Sequence, residues 1–498
     1  MANNDNFIVA VDLGSSKVSA IAGRKQADGA IQVLAFAQEP SEAFIRKGRI
    51  NNFDKMSSCI ANIKKRLEER LKKGVGKMYV GIGGMGMHTT PNTILKTFPE
   101  KIKVSQEVVN SIIEENLQVQ TQDREILETI PQEYTVDTQR TLEPVGILGA
   151  RLEGNFLNII TNSATRRQIT DCFAEANIEV VDLPISVLAL ASRVTTEPER
   201  LSGCVFVDMG AQTTSVAVYS RNILRHLAVI PLGGANITTD IMQALDIEEK
   251  EAEDLKLHYD FAIESIDESE EETFTVSHGR TYKLNELKEL VGARLEEIIA
   301  NVQHQIEYTQ MATSQINGGI VLTGGVSKTP GIIEAFKTIT KVDKVRLVSN
   351  KYLQYRCDRP DFNNDDTYNT AITLIEEGDV NCCSGQLGQE NDLFAERQRV
   401  ESQKAAEAAK REEAEAAKRE ETAAYEAIKD SRDKDAIEAF LEKYPNSIYA
   451  ADLRAQIDQI EKEIKDEEER AKKQRRKDER KERWKKFIGK LRNMMDDE

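Results

Sequence analysis

The chain has 498 residues, a net charge of -17 at pH 7, 40% hydrophobic residues and 30% charged residues. A chain of this length exceeds what one hydrophobic core usually supports, so the sequence predicts several domains. The acidic balance argues against a protein whose main partner is a nucleic acid. The N-terminus lacks a signal-peptide pattern and no run of about 18 apolar residues occurs, so we expect neither a secretory leader nor a transmembrane helix. The six scattered cysteines favour reduced thiols in a cytosolic protein.

The first predicted element is a strand, a polar turn and a second strand over residues 7–23. An apolar run enters the turn Asp12-Leu13-Gly14-Ser15-Ser16-Lys17, and a second run begins at Val18. Both flanks are short and β-rich, which favours a hairpin over the strand–helix arrangement of Walker and dinucleotide loops. Backbone N–H groups of such a turn can bind phosphate, with Asp12 near a Mg²⁺ ion. Many surface hairpins share this composition, so the turn alone does not decide.

Helices and strands alternate through the next part of the chain. Hydrophobic spacing predicts helices over 56–73, 105–118, 166–175 and 185–194, and strands over 77–82, 155–161 and 179–183. The stretch 85–165 has a helix and strands of its own. It is therefore predicted to be an inserted α/β subdomain.

Residues 204–220, CVFVDMGAQTTSVAVYS, repeat the opening pattern of apolar strand, Asp-x-Gly turn and second strand. Two such hairpins indicate a duplicated core with one phosphate loop in each half. Helices are predicted over 247–257 and 284–311. A buried strand then enters the paired glycines of GGIVLTGGVS (318–327), and another helix begins after residue 331. Paired glycines let the backbone approach a flat ligand closely.

The tail differs in composition from the rest of the chain. Residues 389–422 are almost entirely Ala, Glu, Lys, Arg and Gln, without an apolar stripe, which favours a solvated helical spacer over a coiled coil. Two helical patterns follow, over 425–444 and 448–464. Together they resemble one tetratricopeptide-like hairpin, and docking of a partner on it stays open.

The last helical pattern is amphipathic and basic. Residues 470–492 hold thirteen basic and three acidic residues. Its apolar residues fall on one helix face: Trp484, Phe487, Ile488, Leu491, Met494 and Met495. This pattern favours an interfacial helix on an anionic membrane surface. The alternatives are a helix packed on the protein's own core, capture by a calmodulin-like partner and a nucleic-acid-binding tail, and the Trp/Phe/Leu stripe argues against the last.

Two hairpins followed by a strand–Gly-Gly–helix element resemble the actin, hexokinase and Hsp70 ATPase superfamily. Within it, the chain resembles the bacterial cell-division actin FtsA family over about residues 6–380. The insert at 85–165 is the specific feature, because it stands where FtsA carries subdomain 1C, whereas MreB and actin place a different insert elsewhere. The motifs that carry the resemblance are VDLGSSKVSA (11–20), KGRI (47–50), IPQEYTVD (130–137), PVGILGARL (144–152), VDMGAQTTSVAVY (207–219), IPLGG (230–234), AEDLK (252–256) and GGIVLTGGVSKTPGI (318–332).

The resemblance implies an α/β, actin-like (ribonuclease H-like) two-lobed ATPase fold with an inserted α/β subdomain 1C and an α-helical C-terminal extension. The implied domains are subdomain 1A at 1–84, 166–201 and 360–380; 1C at 85–165; 2A at 202–236 and 300–359; 2B at 237–299; a charged helical linker at 381–422; the tetratricopeptide-like hairpin at 423–465; and the basic amphipathic membrane helix at 466–498.

The resemblance also implies a site for ATP and Mg²⁺. Asp12 and Asp208 would hold Mg²⁺, largely through waters. The other implied contacts are Gly14, Ser15 and Ser16 to the β-phosphate; Lys17 to the β- and γ-phosphates; Gly210, Thr213 and Thr214 to the γ-phosphate; Gly233 and Gly234 along the cleft; Glu253 and Lys256 at the ribose and adenine edge; and Gly324, Gly325 and Ser327 beside the adenosine.

Two residues depart from the pattern of hydrolytically active relatives. Leu183 stands before Pro184, where MreB has a glutamate that orients water, and Asp182 would face the other side of the strand. Loss of such a group costs about 10²–10⁴-fold in rate, so we expect ATP binding with slow hydrolysis at most. Gln212 replaces a glycine of the second loop. It could crowd the phosphates, contact the γ-phosphate or position water, so Asp208 and Gln212 are the only candidate catalytic residues.

By resemblance, the protein polymerises on the cytoplasmic face of the inner membrane at the division septum. It would tether the tubulin-like protein FtsZ by the FtsZ C-terminal peptide, through residues 237–299, and contact other divisome proteins. Its membrane anchor would be the face formed by Trp484, Phe487, Ile488, Leu491 and Met495. The alternatives are a PilM-like scaffold for pilus assembly and an Hsp70-like ATPase.

Overall fold

The computed structural model describes residues 6–119, 123–258, 272–362 and 366–386, and, within 422–465, residues 422–429, 431, 433–444, 447, 449–459, 462 and 465. They belong to two units, one within 1–389 and one within 390–498. Apart from Thr422, the predicted spacer helix at 389–422 lies outside the described residues, and so does the amphipathic segment 466–498. In the part of the chain that is described, no helix is both long and apolar enough to cross a membrane.

The first lobe is built on a six-stranded sheet. Its strands are β1 (Ile8–Leu13), β2 (Lys17–Lys25), β3 (Ile31–Pro40), β7 (Lys77–Gly81), β12 (Glu179–Asp182) and β20 (Tyr355–Cys357). They lie in the order β12-β7-β1-β2-β3-β20. Strands β1 to β3 pair antiparallel, and β7 and β12 extend the sheet in parallel.

The second lobe repeats this plan. Its strands are β13 (Cys204–Met209), β14 (Thr214–Ser220), β15 (Ile223–Ile230), β18 (Gly319–Thr323) and β19 (Val345–Leu347). The order β19-β18-β13-β14-β15 again joins an antiparallel meander to two parallel strands. The duplicated core predicted from the two hairpins is therefore present in the topology.

The insert contributes four strands to the edge of the second-lobe sheet and has a small core of its own. It consists of β8 (His88–Lys103), α2 (Gln106–Leu117), β9 (Arg124–Val136), β10 (Gln139–Thr141) and β11 (Leu148–Asn162). The order β10-β9-β11-β8 continues into the second-lobe sheet through one pair, Ala228 with His88. Ile112, Leu152 and Phe156 are among its buried core residues.

Helices cover the two lobes, and most lie where the hydrophobic spacing places them. Their bounds are α1 (Phe53–Leu71), α3 (Ser163–Glu175), α4 (Ser186–Val194), α5 (Glu197–Ser202), α6 (Gly234–Leu245), α7 (Glu249–His258), α8 (Leu284–Tyr308), α9 (Ile332–Thr340) and α10 (Asn369–Glu377). Helix α3 begins three residues earlier than predicted, because the side chain of Asn162 caps it by accepting the N–H of Ala164 at 3.0 Å.

Short elements complete the first unit. The short strands are β4 (Ile45–Arg46), β5 (Arg49–Ile50), β6 (Lys73–Val75), β16 (Thr273–Thr275), β17 (Thr281–Lys283) and β21 (Cys383–Gln386). Short 3₁₀ turns span Thr313–Gln315, Gly325–Lys328 and Asn350–Tyr352. The six cysteines carry free thiols.

The second unit contains helical residues 422–428, helix α11 (Lys434–Lys443) and helical residues 450–459. The prediction of one helix over 425–444 is wrong. Asp433 starts a new helix, because its side chain accepts the N–H groups of Asp435 and Ala436 at 3.1 and 3.4 Å. Ile437, Phe440 and Leu453 form the buried core of the unit.

Candidate nucleotide-binding site

The two hairpin turns have the same register. In the first, Leu13 pairs with Val18 and encloses four residues. In the second, Met209 pairs with Thr214 and also encloses four. Asp12 and Asp208 each lie one residue before the enclosing pair. Each half of the fold therefore delivers one carboxylate at the same position of its turn.

The two carboxylates are close enough to repel each other. Burial raises the pKa of Asp12 to about 6, although the Ser186 hydroxyl donates to its Oδ1 at 3.3 Å. Burial, and then the charge of Asp12, raise the pKa of Asp208 to about 7. The Asp208 carboxylate has no hydrogen bond or ion pair with any residue that the structure describes. Two desolvated carboxylates without a cationic partner fit a divalent cation, which prefers oxygen ligands.

Hydrogen bonds hold the first turn in shape. The Ser41 hydroxyl donates to the carbonyl of Gly14 at 2.6 Å, and the Ser41 N–H donates to the carbonyl of Ser16 at 2.9 Å. A side chain at Gly14 would meet the carbonyl of Lys17 at 2.6 Å. The Lys17 ammonium donates to the Thr367 hydroxyl at 2.8 Å, and the Ser16 hydroxyl donates to Glu42 at 3.4 Å. The turn is thus fixed before any ligand binds.

The second turn is covered by the beginning of helix α6. The N–H of Gly234 donates to the carbonyl of Gly210 at 3.1 Å, and the N–H of Ala235 donates to that of Ala211 at 2.6 Å. A side chain at Gly233 would lie 2.5 Å from the Gly210 carbonyl oxygen. The positive end of the α6 dipole therefore lies against this turn, which favours an anionic group there.

The two threonines of the second turn differ in environment. Thr214 is fully buried, and its hydroxyl donates to the carbonyl of Leu232 at 2.9 Å. Thr213 is partly exposed, and its backbone carbonyl accepts the Gly210 N–H at 2.8 Å. The side chain of Thr213 is therefore the better placed of the two to meet a ligand.

The segment Lys47–Gly48 connects the two turns. The Lys47 N–H donates to Oε1 of Gln212 at 2.8 Å, and the Gly48 N–H donates to the Ser15 hydroxyl at 2.9 Å. A side chain at Gly48 would lie 2.3 Å from Cα of Gly84. Sequence reasoning gave no role to this segment. The signal that could have found it was the KGRI motif, whose Lys47-Gly48 turn has positive φ angles of 50° and 72°.

The glycine turn after β18 lies beside Asp208. Gly324 has a φ of +87°, and a side chain there would meet the Met209 carbonyl oxygen at 2.4 Å and Oδ1 of Asp208 at 2.7 Å. The hydroxyl of Ser327 donates to the Gly324 carbonyl at 2.7 Å. Gly325 differs, because, its chain neighbours aside, no atom of the described residues lies within 4 Å of the position a side chain would take. The turn thus leaves open space next to the carboxylate pair.

Glu253 and Lys256 lie together against the beginning of α6. Their charged groups are 2.5 Å apart, and both contact the Thr238 hydroxyl. The Lys256 ammonium also donates to the Gly234 carbonyl at 3.3 Å. Hydrogen bonds and close packing thus connect this pair to the second turn. The sequence did not indicate Thr238.

The position before Pro184 carries no carboxylate that could orient water. Leu183 is buried in the first-lobe core. Asp182 is exposed, and its Oδ1 accepts the N–H of Leu183 at 2.8 Å. The polar group that contacts Asp12 is instead the hydroxyl of Ser186. Ser186 follows Pro184 by two positions and is the first residue of helix α4. The sequence signal that indicates Ser186 is a hydroxyl residue at the start of a helix, two positions after a proline.

Comparison with known proteins places the chain in a family. A family model described as Cell division protein FtsA matches residues 205–372, and one described as SHS2 domain inserted in FTSA matches residues 84–160. The cell division protein FtsA of Pseudomonas aeruginosa is 30% identical over 67% of this chain and 81% of its own length. The chain belongs to the FtsA family of cell division proteins. The cell division protein FtsA of Escherichia coli is 26% identical over 79% of this chain and 95% of its own.

A solved structure supports the fold. The PilM-PilN type IV pilus biogenesis complex aligns with a TM-score of 0.51 over 74% of this chain and 98% of that one. At 14% sequence identity, this likeness shows the fold alone. The actin-like α/β fold with its insertion and the family predicted from the motifs are both confirmed.

Proposed function

We propose that this cell-division protein binds ATP with Mg²⁺ and assembles on the cytoplasmic face of the inner membrane, where it tethers FtsZ at the division septum. The observation that carries the nucleotide part is the pair Asp12 and Asp208, one from each half of the duplicated core, at equivalent turn positions. Buried carboxylates that repel each other are costly unless a cation joins them. The pair therefore favours a ligand that brings a cation into the cleft.

The surrounding residues fit a nucleoside triphosphate. Asp12 and Asp208 would hold Mg²⁺, which in turn would neutralise phosphate charge. The turn from Gly14 to Lys17 and the second turn at 210–213 would bind the phosphates from opposite sides. The open space beside Gly325 would take the adenosine, with Glu253 and Lys256 at its polar edge.

Hydrolysis at this site should be slow. Leu183 supplies no group to orient water, and the amide of Gln212 is held by the Lys47 N–H. Positioned acid or base groups contribute about 10²–10⁴-fold to such reactions. Single-turnover hydrolysis as fast as in a good kinase would contradict this part of the proposal.

Nucleotide binding is tested by titrating a fluorescent ATP analogue with and without Mg²⁺. Asp208→Asn should weaken Mg²⁺-dependent binding by about tenfold or more, since it removes one of two charged ligands. The matched control is Asp343→Asn, which removes the same charge from an exposed position of the second lobe. Equal affinities of the two variants would refute the site.

The membrane part rests on the sequence of the last segment. Trp484 and Phe487 lie on its apolar face and lysines flank it. A single short helix binds weakly, so polymerisation, which brings many anchors together, should convert weak binding into avidity. Trp484→Glu with Phe487→Glu should abolish pelleting with anionic liposomes. Gly489→Glu with Asn493→Glu adds the same charge off the apolar face and should reduce pelleting much less. If the variant with Trp484→Glu and Phe487→Glu still pellets with the liposomes, this segment is not the membrane anchor.

The tethering part rests on family membership and on the predicted contact region at 237–299. It is tested by co-sedimentation of a fluorescent FtsZ C-terminal peptide with the protein on anionic liposomes, with and without ATP. The expected result is peptide in the pellet only when the protein is present, and more of it with ATP. A peptide that stays in the supernatant under both conditions would contradict the proposal.

A further inference from the structure

A basic cleft lies where the insert meets the second lobe. It has a volume of about 420 Å³. Its walls come from β9, β10 and β11 of the insert and from the β14–β15 hairpin of the second lobe. Its lining includes Gln132, Glu133, Arg140, Leu142, Arg221 and Arg225. Gln132 and Glu133 belong to the IPQEY motif, to which the nucleotide site gives no role.

Gln132 joins the two walls of the cleft. Its amide Nε2 donates to the backbone carbonyl of Leu224 at 3.0 Å, and its Oε1 accepts from Arg225 at 2.8 Å. The insert and the second lobe are therefore fixed relative to each other at the cleft floor. The cleft is a preformed feature, which lowers the ordering cost of binding.

The turn that carries Arg221 is unfavourable for an arginine. The two residues between β14 and β15 are Arg221 and Asn222, with φ angles of 55° and 61°. Hairpin turns of this type prefer Asn-Gly or Gly-Gly, and a left-handed conformation costs other residues roughly 1–2 kcal/mol. Arg200 supports the turn, since its Nε donates to Oδ1 of Asn222 at 2.9 Å. The conformational cost therefore falls on Arg221, a residue that lines the cleft.

The cleft carries excess positive charge in an acidic protein. Three arginines line it, against one glutamate. Arg140 approaches Glu133 only to 3.8 Å, and the Arg221 guanidinium has no hydrogen bond or ion pair with any described residue. Burial, together with the charge of Arg221, lowers the pKa of Arg225. An anion in the cleft would relieve this repulsion.

The shape favours a peptide over a nucleotide or a free phosphate. Among the described residues, the lining contains no aromatic ring on which a base could stack. Strand β10 is the last strand of its sheet, and among the described strands its outer edge is unpaired, so an extended segment can pair with it. Leu142, 56% exposed, follows β10 at the rim. Guanidinium groups match carboxylates in a bidentate manner.

We propose that this cleft binds an extended acidic segment of a partner protein, with its carboxylates on Arg140, Arg221 and Arg225 and an apolar side chain on Leu142. The site is distinct from the nucleotide cleft and independent of the proposed ATP binding. A partner bound here would hold the insert and the second lobe together from outside.

The test uses the full chain and a short fluorescein-labelled peptide of alternating glutamate and leucine, with a glutamine–leucine peptide as control. Hydrogen exchange measured by mass spectrometry should show peptide-dependent protection at 132–142 and 221–226. Arg140→Ser with Arg221→Ser should weaken peptide binding about tenfold by fluorescence anisotropy and remove the protection. The control Arg167→Ser removes an exposed arginine of α3 and should change neither readout.

Four outcomes would overturn the proposal. Protection could persist in the Arg140/Arg221 variant, or occur only in the basic tail at 466–498. Inorganic triphosphate could protect the cleft as well as the peptide does, which would make it a phosphate site. Finally, the cleft could be protected from exchange without peptide and lose that protection when Glu270, Glu271 and Glu272 are changed to glutamine. The occupant of the cleft would then be the chain's own acidic segment and not a partner.

Discussion

Oε1 of Gln212 accepts the backbone N–H of Lys47 at 2.8 Å, across 165 positions of sequence. The next residue, Gly48, donates to Ser15 of the first turn. Gln212 therefore ties the second turn to a segment of the first lobe. These two bonds use the acceptor oxygens of Gln212 and Ser15, so a phosphate would take its hydrogen bonds from the donor groups of the same two side chains.

Gln212→Ala should loosen residues 45–50 without unfolding either lobe. The loss of one hydrogen bond costs about 0.5–1.5 kcal/mol, so the Lys47 amide should exchange roughly 3- to 10-fold faster. Hydrogen exchange with fragments that cover 45–50 measures this. Gln106→Ala, which removes an exposed glutamine of α2, should leave those fragments unchanged. Equal exchange in both variants would mean that Gln212 does not hold the segment.

The Asp12–Asp208 pair predicts that its contribution to the free energy of unfolding falls as pH rises. An ion-paired carboxylate has the opposite effect. Because the folded-state pKa of Asp208 is raised to about 7, the native protein binds a proton there between roughly pH 4 and pH 7 that the unfolded chain does not. The contribution of Asp208 to the free energy of unfolding is therefore fully present below about pH 4 and is lost as pH rises through about 7. Its slope is at most about -1.4 kcal/mol per pH unit.

Urea unfolding at a series of pH values between 5 and 8 should show this effect in the absence of Mg²⁺. Asp208→Asn should flatten the slope, since the amide does not titrate. Saturating Mg²⁺ and ATP should flatten it in the wild type as well, because a bound cation stabilises the ionised pair. A wild type and a variant with the same slope would contradict the raised pKa.

The sequence was sufficient for features that depend on local patterns. The Asp-x-Gly turns, the strands around them and a helix over 56–73, which the structure has at Phe53–Leu71, follow from hydrophobic spacing and turn residues. The equivalence of Asp12 and Asp208 could be read from the repeated motif. These features were predicted because each is encoded within about twenty consecutive residues.

Features that depend on two distant segments could not be predicted. The contact of Lys47 with Gln212 and that of Ser186 with Asp12 join residues more than 160 positions apart. The basic cleft combines Arg140 with Arg221 only because the insert sheet continues into the second-lobe sheet. In the tail, the helix break was missed because the capping role of Asp433 competes with a helix-favouring composition on both sides.

The ion pair of Arg346 and Glu199 should stabilise the connection between the lobes. Nε and Nη2 of Arg346 donate to Oε1 and Oε2 of Glu199, each at 2.9 Å, and Nη2 also donates to the Val194 carbonyl at 2.7 Å. Helices α4 and α5 thereby attach to strand β19. The pair is largely but not fully buried, so Arg346→Met should lower the free energy of unfolding by about 2 kcal/mol, below the 3–5 kcal/mol of a fully buried pair.

Thermal and urea unfolding measure this loss. Arg346→Met with Glu199→Gln should recover part of it, because no unpaired charge then remains. The control is Arg356→Met, which removes an arginine from an exposed pair with Asp28 and should leave unfolding unchanged. Equal effects of Arg346→Met and Arg356→Met would show that the connection does not depend on this pair.

Gly324 and Gly325 provide a matched pair of neighbouring substitutions. Gly324→Ala should destabilise the protein by about 2 kcal/mol or more, because φ is +87° and the new methyl group would meet backbone atoms of Met209 at 2.4 Å. Gly325→Ala should leave the unfolding free energy within about 0.5 kcal/mol, because it adds a methyl group to open space. If the adenosine occupies that space, Gly325→Ala should nevertheless weaken binding of the fluorescent ATP analogue by about tenfold. An unchanged affinity with unchanged stability would place the adenosine elsewhere, while leaving the carboxylate pair as the phosphate and Mg²⁺ end of the site.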